Sequence, residues 1–253
     1  MRYYNTEGII IKTRPFGEAD KIYTILSANY GKFDAKIKSA RNIKNKLSGK
    51  LEVFNCVKLY LAKGRSVDII IGVENVNSHL KIRTSLPKIA AGFYLLEIFN
   101  KTTEESEKDY KIYSALKQTL KALDELDNIE VVLRAAETRL LFLLGYQPSL
   151  DECVMCKDGQ SGLNYINVIL GGCLCDKCYL SHKGGINIYP ASKEVIKYFQ
   201  KFDFTGISRL KLTEEILRNI FKINTMFYMT HFNIKISSVD FMNRIKNEEL
   251  AGV

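Results

Sequence analysis

The sequence predicts an α+β chain: an N-terminal five-stranded OB-type β-barrel, then a mainly helical domain carrying an inserted four-Cys knuckle. Three observations point there. Over the first 80 or so residues the apolar side chains come in short segments broken by turn residues. Beyond Pro87 they recur at helical spacing. Between Cys153 and Cys178 two Cys-x2-Cys pairs face each other across 18 residues.

Five strands are expected, at Thr6 to Thr13, Lys21 to Ala28, Lys32 to Ser39, Phe54 to Ala62 and Val67 to Val76. Ala28-Asn29-Tyr30-Gly31 and Ala62-Lys63-Gly64-Arg65 lie between neighbouring segments and offer the Asn and Gly that hairpin turns use at positive φ. In the third segment Phe33, Ala35 and Ile37 alternate with Lys32, Asp34, Lys36 and Lys38, so one face is apolar and the other charged. In the fourth, Val57, Leu59 and Leu61 point one way, and Lys58 with Tyr60 the other. Five short antiparallel strands in a basic unit fit the OB-type barrel, which binds strands through cationic grooves and aromatic stacking. Other small β-folds fit the same pattern. Tyr60 and Tyr23 are candidate stacking rings, with the core as the competing place for either.

Helices are expected at about Lys88 to Phe99, Lys108 to Leu126, Glu130 to Tyr146, Ser192 to Phe202 and Glu214 to Thr230. Their apolar stripes, such as Ile112, Leu116, Leu120 and Leu123, read as core packing. The chain divides into a basic domain at 1–82 and a helical domain at 83–253, with a metal-binding insertion at 149–182. No internal repeat or low-complexity tract is visible.

Cys153, Cys156, Cys175 and Cys178 have the spacing of a zinc site. Each pair forms a small knuckle, and two knuckles complete a closed tetrahedron with Zn–S bonds of ~2.3 Å. Four thiolates leave no open position, so one structural Zn2+ that folds the insertion is expected, and not a Lewis acid acting on bound water. Disulfides are the alternative, which a cytoplasmic location disfavours. Cys173 and His182 are alternative ligands, and Cys56 reads as a small buried side chain.

The formal net charge of +9 is confined to one end. Residues 1–85 hold 16 Lys and Arg against 7 Asp and Glu, and residues 86–253 hold 21 of each. A polyanion is the expected partner of the first part. Lys36, Lys38, Arg41, Lys44, Lys46 and Lys50 form a run with no acid between them, and Lys12 and Arg14 extend it, as do Lys21 and Lys58. Such a run supplies phosphate affinity without sequence preference; a solvated loop that binds nothing is the competing reading. No His-Glu-x2-His, G-x-S-x-G, Rossmann or P-loop glycine pattern occurs, and the three His are scattered. No catalytic residue is therefore expected. The densest later apolar run, Leu140 to Leu144, is far short of the ~20 residues of a membrane span. With only Ile9 to Ile11 near the start, no export signal is expected either, and the chain reads as soluble and cytoplasmic.

Glu7-Gly8-Ile9-Ile10, Gly17-Glu18-Ala19-Asp20-Lys21 and Leu47-Ser48-Gly49-Lys50-Leu51 followed by Val53-Phe54 occur in that order. Further on, Phe142-Leu143-Leu144-Gly145-Tyr146-Gln147-Pro148 precedes the first cysteine pair, and Gly171-Gly172 the second. This succession resembles the bacterial RecO family of recombination mediators over nearly the full chain. The resemblance implies a DNA repair protein that binds single- and double-stranded DNA and anneals complementary strands. It implies that, with RecR, such a protein helps load RecA onto DNA coated with single-stranded-DNA-binding protein (SSB). The partners it implies are DNA, RecR and the SSB C-terminal tail, at the nucleoid, with no membrane and no small-molecule substrate. On that view the Lys36 to Lys50 run is the DNA contact. Cys173 departs from the family's knuckle, which needs no cysteine there. Two rival readings are an RNA-associated barrel-and-zinc accessory factor and a zinc-dependent enzyme acting on nucleic acid.

Overall fold

The computed structural model describes residues 2–38, 47–160, 162–182, 184–201, 204–234, 236 and 238. They fall into two compact units, Met1–Glu125 with Ile236–Val253, and Leu126–Lys235.

In the first unit, β1 (Tyr3–Phe16), β2 (Asp20–Ser27), β3 (Gly31–Ile37), β4 (Cys56–Ala62) and β5 (Asp68–Asn77) close a barrel in the order β1-β2-β3-β5-β4. All pairings are antiparallel except β3 with β5, where Ala35 lies beside Asp68 and Lys36 beside Ile69. β1 serves two neighbours, β4 from Tyr3 to Ile9 and β2 from Gly8 to Phe16. A bulge between Ile10 and Lys12 lets it change partners. Alternate residues point inward: Tyr23, Ile25, Ala35, Ile37, Val57, Leu59, Leu61 and Ile70 form the buried core. Each such side chain removed from water contributes roughly 1.5–3 kcal/mol, and together they fix the register.

The two expected glycine turns behave differently. Gly31 does adopt positive φ, at +66°, and a Cβ there would stand 2.1 Å from the carbonyl oxygen of Glu107. Gly64 is instead required by crowding, since its Cβ would lie 1.9 Å from the Val67 carbonyl oxygen.

Lys32, expected on a solvated charged face, is instead buried. Its backbone carbonyl accepts from Ser106, and its Nζ donates to the carbonyls of Asn100 (2.6 Å) and Thr103 (2.5 Å). These carbonyls lie at the end of α2 (Leu86–Thr102), where helical partners run out and the dipole favours a cation. The alternation of β3 is therefore intact, but the outer face at its start is covered.

The barrel unit also holds α1 (Leu80–Arg83) and α3 (Tyr110–Glu125). Glu7 on β1 accepts from Tyr113 and Lys117 on α3, and the Cys56 thiol lies 3.7 Å away. Burial pushes the Glu7 carboxyl up, but the Lys117 and Tyr113 hydrogen bonds outweigh it and hold the group below the usual glutamate range.

The second unit contains α4 (Ile129–Leu143), a small sheet β7-β6-β8 (β6 Tyr165–Asn167, β7 Gly172–Leu174, β8 Ile186–Asn187), α5 (Asp176–His182), α6 (Pro190–Lys201) and α7 (Glu214–Phe232). Asn128 caps α4 and Thr213 caps α7 through side-chain oxygens. α4 stops at Leu143 rather than Tyr146 because Gly145 turns to φ +84° and Tyr146 N–H reaches back to the Leu141 carbonyl. Inside the bundle Arg134 and Glu137, both about 1% exposed, pair at 2.9 Å. Asn224 and Tyr228 on α7 hydrogen-bond Glu137, and Phe221 stacks on the guanidinium at 4.4 Å.

Two stability measurements check this account. Lys32→Ala, which strips the cation from the end of α2, is expected to lower unfolding free energy by about 2–3 kcal/mol in urea melts. Glu7→Gln is expected to cost about 1–2 kcal/mol at pH 7. Because the folded carboxyl is held below its unfolded value, that contribution is present above the ordinary glutamate range. It disappears as pH falls through the lowered value, so the two melting curves should converge on acidification.

Candidate nucleic-acid interface and candidate metal centre

Barrel closure sorts the side chains of β1, β2 and β3 into an inner and an outer set. In register, Lys12 lies opposite Thr24, and Thr24 opposite Asp34; one step on, Arg14 lies opposite Ile22, and Ile22 opposite Lys36. The outer surface therefore displays Lys12, Arg14 and Phe16 from β1 and Lys36 from β3. Three of the expected cations are thus brought onto one surface, and Lys38 follows directly after the end of β3.

Their surroundings differ. Lys12, Arg14 and Lys38 are exposed and Lys36 is half-buried. Arg14 pairs with Asp34 at 2.8 Å, and Asp34 also accepts from Thr24 at 2.7 Å, so this arginine presents a largely compensated charge. Lys36 Nζ stands 5.4 Å from the centre of the Phe16 ring. Lys50 is exposed on the single turn Ser48–Lys50, with its Nζ 3.4 Å from the Val73 carbonyl. Arg41, Lys44 and Lys46 lie outside the described residues.

Of the two candidate rings, Tyr23 belongs to the core at 1% exposure. Tyr60 lies against Gly72 on the β4–β5 surface, donates to Glu74 at 2.7 Å and has Lys58 Nζ 5.4 Å from its centre. Phe16, 44% exposed, is a further ring that composition and spacing do not single out. Its place directly before the Gly17-Glu18 turn is a usable signal, because an apolar aromatic at a hairpin end has no core to enter.

The four cysteines of the expected site converge. Their sulfur atoms all lie within 4.8 Å of one another, and Cys156 and Cys175 are 3.7 Å apart. Ligands at ~2.3 Å from a tetrahedral ion sit about 3.8 Å from each other, so the four-thiol set fits zinc in spacing as well as chemistry. The first knuckle is a tight loop in which Lys157 N–H bonds the Cys153 carbonyl and Cys153 N–H bonds the Asp158 carbonyl, each at 2.9 Å. The second runs from the end of β7 into α5, where Tyr179 N–H reaches the Cys175 carbonyl at 2.9 Å.

Burial raises the Cys153 thiol, but backbone N–H groups of Cys156, Cys175 and Met155 bring it down to about 6, while the neighbouring Cys156 and Cys178 thiols are raised, so ionisation within the cluster falls first on Cys153. All six cysteines are free thiols, so no disulfide competes for the cluster. Cys173 is buried in β7 outside the cluster, its thiol pushed up to about 11 by burial. His182 Nδ1 lies 3.3 Å from the Cys178 carbonyl, also outside it. The rings of Tyr165 on β6 and Tyr179 on α5 stack with centres 3.5 Å apart and planes within 2°, tying the helix to the sheet.

No helix among the described residues is long and apolar enough to cross a membrane. Residues 1–79 match the family model described as Recombination protein O N terminal, and residues 83–239 match Recombination protein O C terminal. A protein described as DNA repair protein RecO, from Thermoanaerobacter sp. (strain X514), is 32% identical over 248 residues, 98% of this chain and 100% of its own. Others so described, from Dehalococcoides mccartyi (strain ATCC BAA-2266 / KCTC 15142 / 195) and Roseiflexus sp. (strain RS-1), are 34% identical over 218 residues and 33% over 225. These alignments cover 86% of this chain in both cases, and 86% and 79% of the two relatives. A closed five-stranded barrel, a helical region with a four-cysteine cluster and matches running from residue 1 to residue 239 lead to one conclusion: the chain belongs to the RecO family.

Proposed function

We propose that this protein is a DNA-binding recombination mediator that binds single- and double-stranded DNA, anneals complementary strands and, with RecR, helps load RecA onto SSB-coated DNA. The observation that carries this reading is the outer β1–β2–β3 surface of the barrel, where Lys12, Arg14 and Lys36 gather and Lys38 follows directly after β3. The β2–β3 surface and the β1–β2 turn are where OB-type barrels hold oligonucleotides. Lysines there neutralise phosphates and release counterions, giving affinity for either strand without sequence preference. A surface that screens two strands at once lowers the repulsion between them, which is what annealing requires. Arg41, Lys44, Lys46 and Lys50 extend the same path in this reading.

Binding belongs to residues 1–82, and the helical domain, 83–253, offers the surfaces for RecR and the acidic SSB tail. The protein acts in the cytoplasm at the nucleoid, as a binding protein and not an enzyme, with no small-molecule substrate. Cys153, Cys156, Cys175 and Cys178 would hold one structural Zn2+, whose closed coordination supplies a cross-link and no reacting position. The names of the relatives favour DNA over RNA as the ligand.

In annealing assays with naked and SSB-coated oligonucleotides, the wild type is expected to accelerate pairing. The combined change of Lys12, Lys36, Lys38 and Lys50 to Ala should abolish this acceleration. It should also flatten the salt dependence of single-strand binding by ~0.7 in log–log slope for each phosphate no longer neutralised. Preference for structured RNA over DNA of equal length would reverse the reading. For the metal, elemental analysis should find one zinc per chain, lost in Cys153→Ser with Cys156→Ser. Hydrogen exchange should then rise across 149–182 while the barrel core stays protected. Unchanged exchange after complete zinc removal would rule out a structural role.

A further inference from the structure

Resting on the DNA-binding reading above, we infer that Phe16 is a base-stacking residue, the contact by which this barrel distinguishes an unpaired strand from a duplex. The ring stands at the end of β1, directly before the β1–β2 turn, on the same outer surface as Arg14 and Lys36. It is 44% exposed and lies outside the barrel core. Its charged surroundings are mixed in a useful way. Lys36 stands over the ring at 5.4 Å, with Lys12 exposed on β1 and Lys38 exposed just after β3. Asp34 is occupied by Arg14 and Thr24; Glu18 lies in the turn, and Asp20, the first residue of β2, pairs directly opposite Phe16. A strand that crosses β1, β2 and β3 thus meets cations for its phosphates, and at the turn end it meets like charge.

A base has a π-face that a phenyl ring can stack on whatever its identity, whereas in a duplex both faces are already covered by neighbouring pairs. Phosphate contacts serve both forms of DNA. Phe16 therefore adds affinity for single strands alone. Of the other aromatics on the barrel, Tyr23 is inside it, Tyr4 donates to Asp68, and Tyr60 lies on the β4–β5 surface with its hydroxyl bonded to Glu74. Tyr3, 62% exposed, stands at the other end of β1 beside Ala62 of β4.

The chain has no tryptophan, so Phe16→Trp creates a single indole reporter in an otherwise unchanged protein. Titration with an oligothymidylate should quench and shift its emission, while a duplex of equal length, bound as judged by anisotropy of a label on the DNA, should not. Phe16→Ala should weaken oligothymidylate binding about tenfold, the size of one stacked base, with duplex affinity and salt slope unchanged. Lys36→Ala, by contrast, should weaken both forms and flatten the salt slope. Equal loss for single strands and duplex in Phe16→Ala, or no loss in either, would overturn the stacking role while leaving DNA binding intact. Failure of the wild type to bind either form at low salt would overturn the DNA-binding reading, and the stacking role with it.

Discussion

The barrel depends on one short seam. β3 and β5 meet in parallel over only Ala35 beside Asp68 and Lys36 beside Ile69, and without that meeting the five strands form an open sheet with two bare edges. Asp68 anchors the β5 side of the seam to β1 and to the β4–β5 turn: it accepts from the Tyr4 hydroxyl, from Lys63 Nζ at 2.9 Å and from Gly64 N–H at 3.1 Å. Burial raises this carboxyl, but the Tyr4, Lys63 and Gly64 hydrogen bonds outweigh it and hold the group below the usual aspartate range, so it stays ionised and available to all three donors. Closure makes inside and outside distinct, and only then does alternation along β1 and β3 place Ile10 and Ile37 within while Arg14 and Lys36 remain without.

The second unit keeps its order by other means. Its strands are two or three residues long, too short to hold a sheet by themselves. Thiol clustering and the stacked Tyr165 and Tyr179 rings take the place of an extended ladder there. In the bundle, the buried Arg134–Glu137 pair meets Asn224, Tyr228 and Phe221, all three of them on α7. An apolar pair would pack there too, but it would not specify which face of α7 must meet α4.

Much of this was legible in the sequence because it is local. Period-two alternation in 32–38 and 57–61, the glycine turns and the Cys-x2-Cys spacing each report a structure formed by residues close in the chain. The short strands β6, β7 and β8 escape notice because two or three residues cannot display a period. Lys32 is misplaced by its pattern because burial of a lysine is decided by helix-end carbonyls some 70 positions away. Gly64 is recognisable as a turn glycine for the wrong reason, since crowding by Val67 is invisible in a turn pattern. At the candidate interface the cations follow from composition and the exposure of Phe16 from its place before a turn, but the Arg14–Asp34 pair depends on register, which sequence spacing does not disclose. The sulfur cluster is legible residue by residue, because each knuckle is a local loop and ligand chemistry then brings the two together.

The two N-terminal hairpins differ in how much room they leave for change. The β2–β3 turn is pressed against the chain before α3, where even a methyl group on Gly31 would strike the Glu107 backbone at 2.1 Å. At the β1–β2 turn a Cβ built on Gly17 would meet nothing within 4 Å, and only its own φ of +58° holds that position to glycine. Extra residues can therefore be inserted at the second site and not at the first, so a lineage could lengthen or recharge the arm that bears Phe16 while the barrel beneath it keeps its packing.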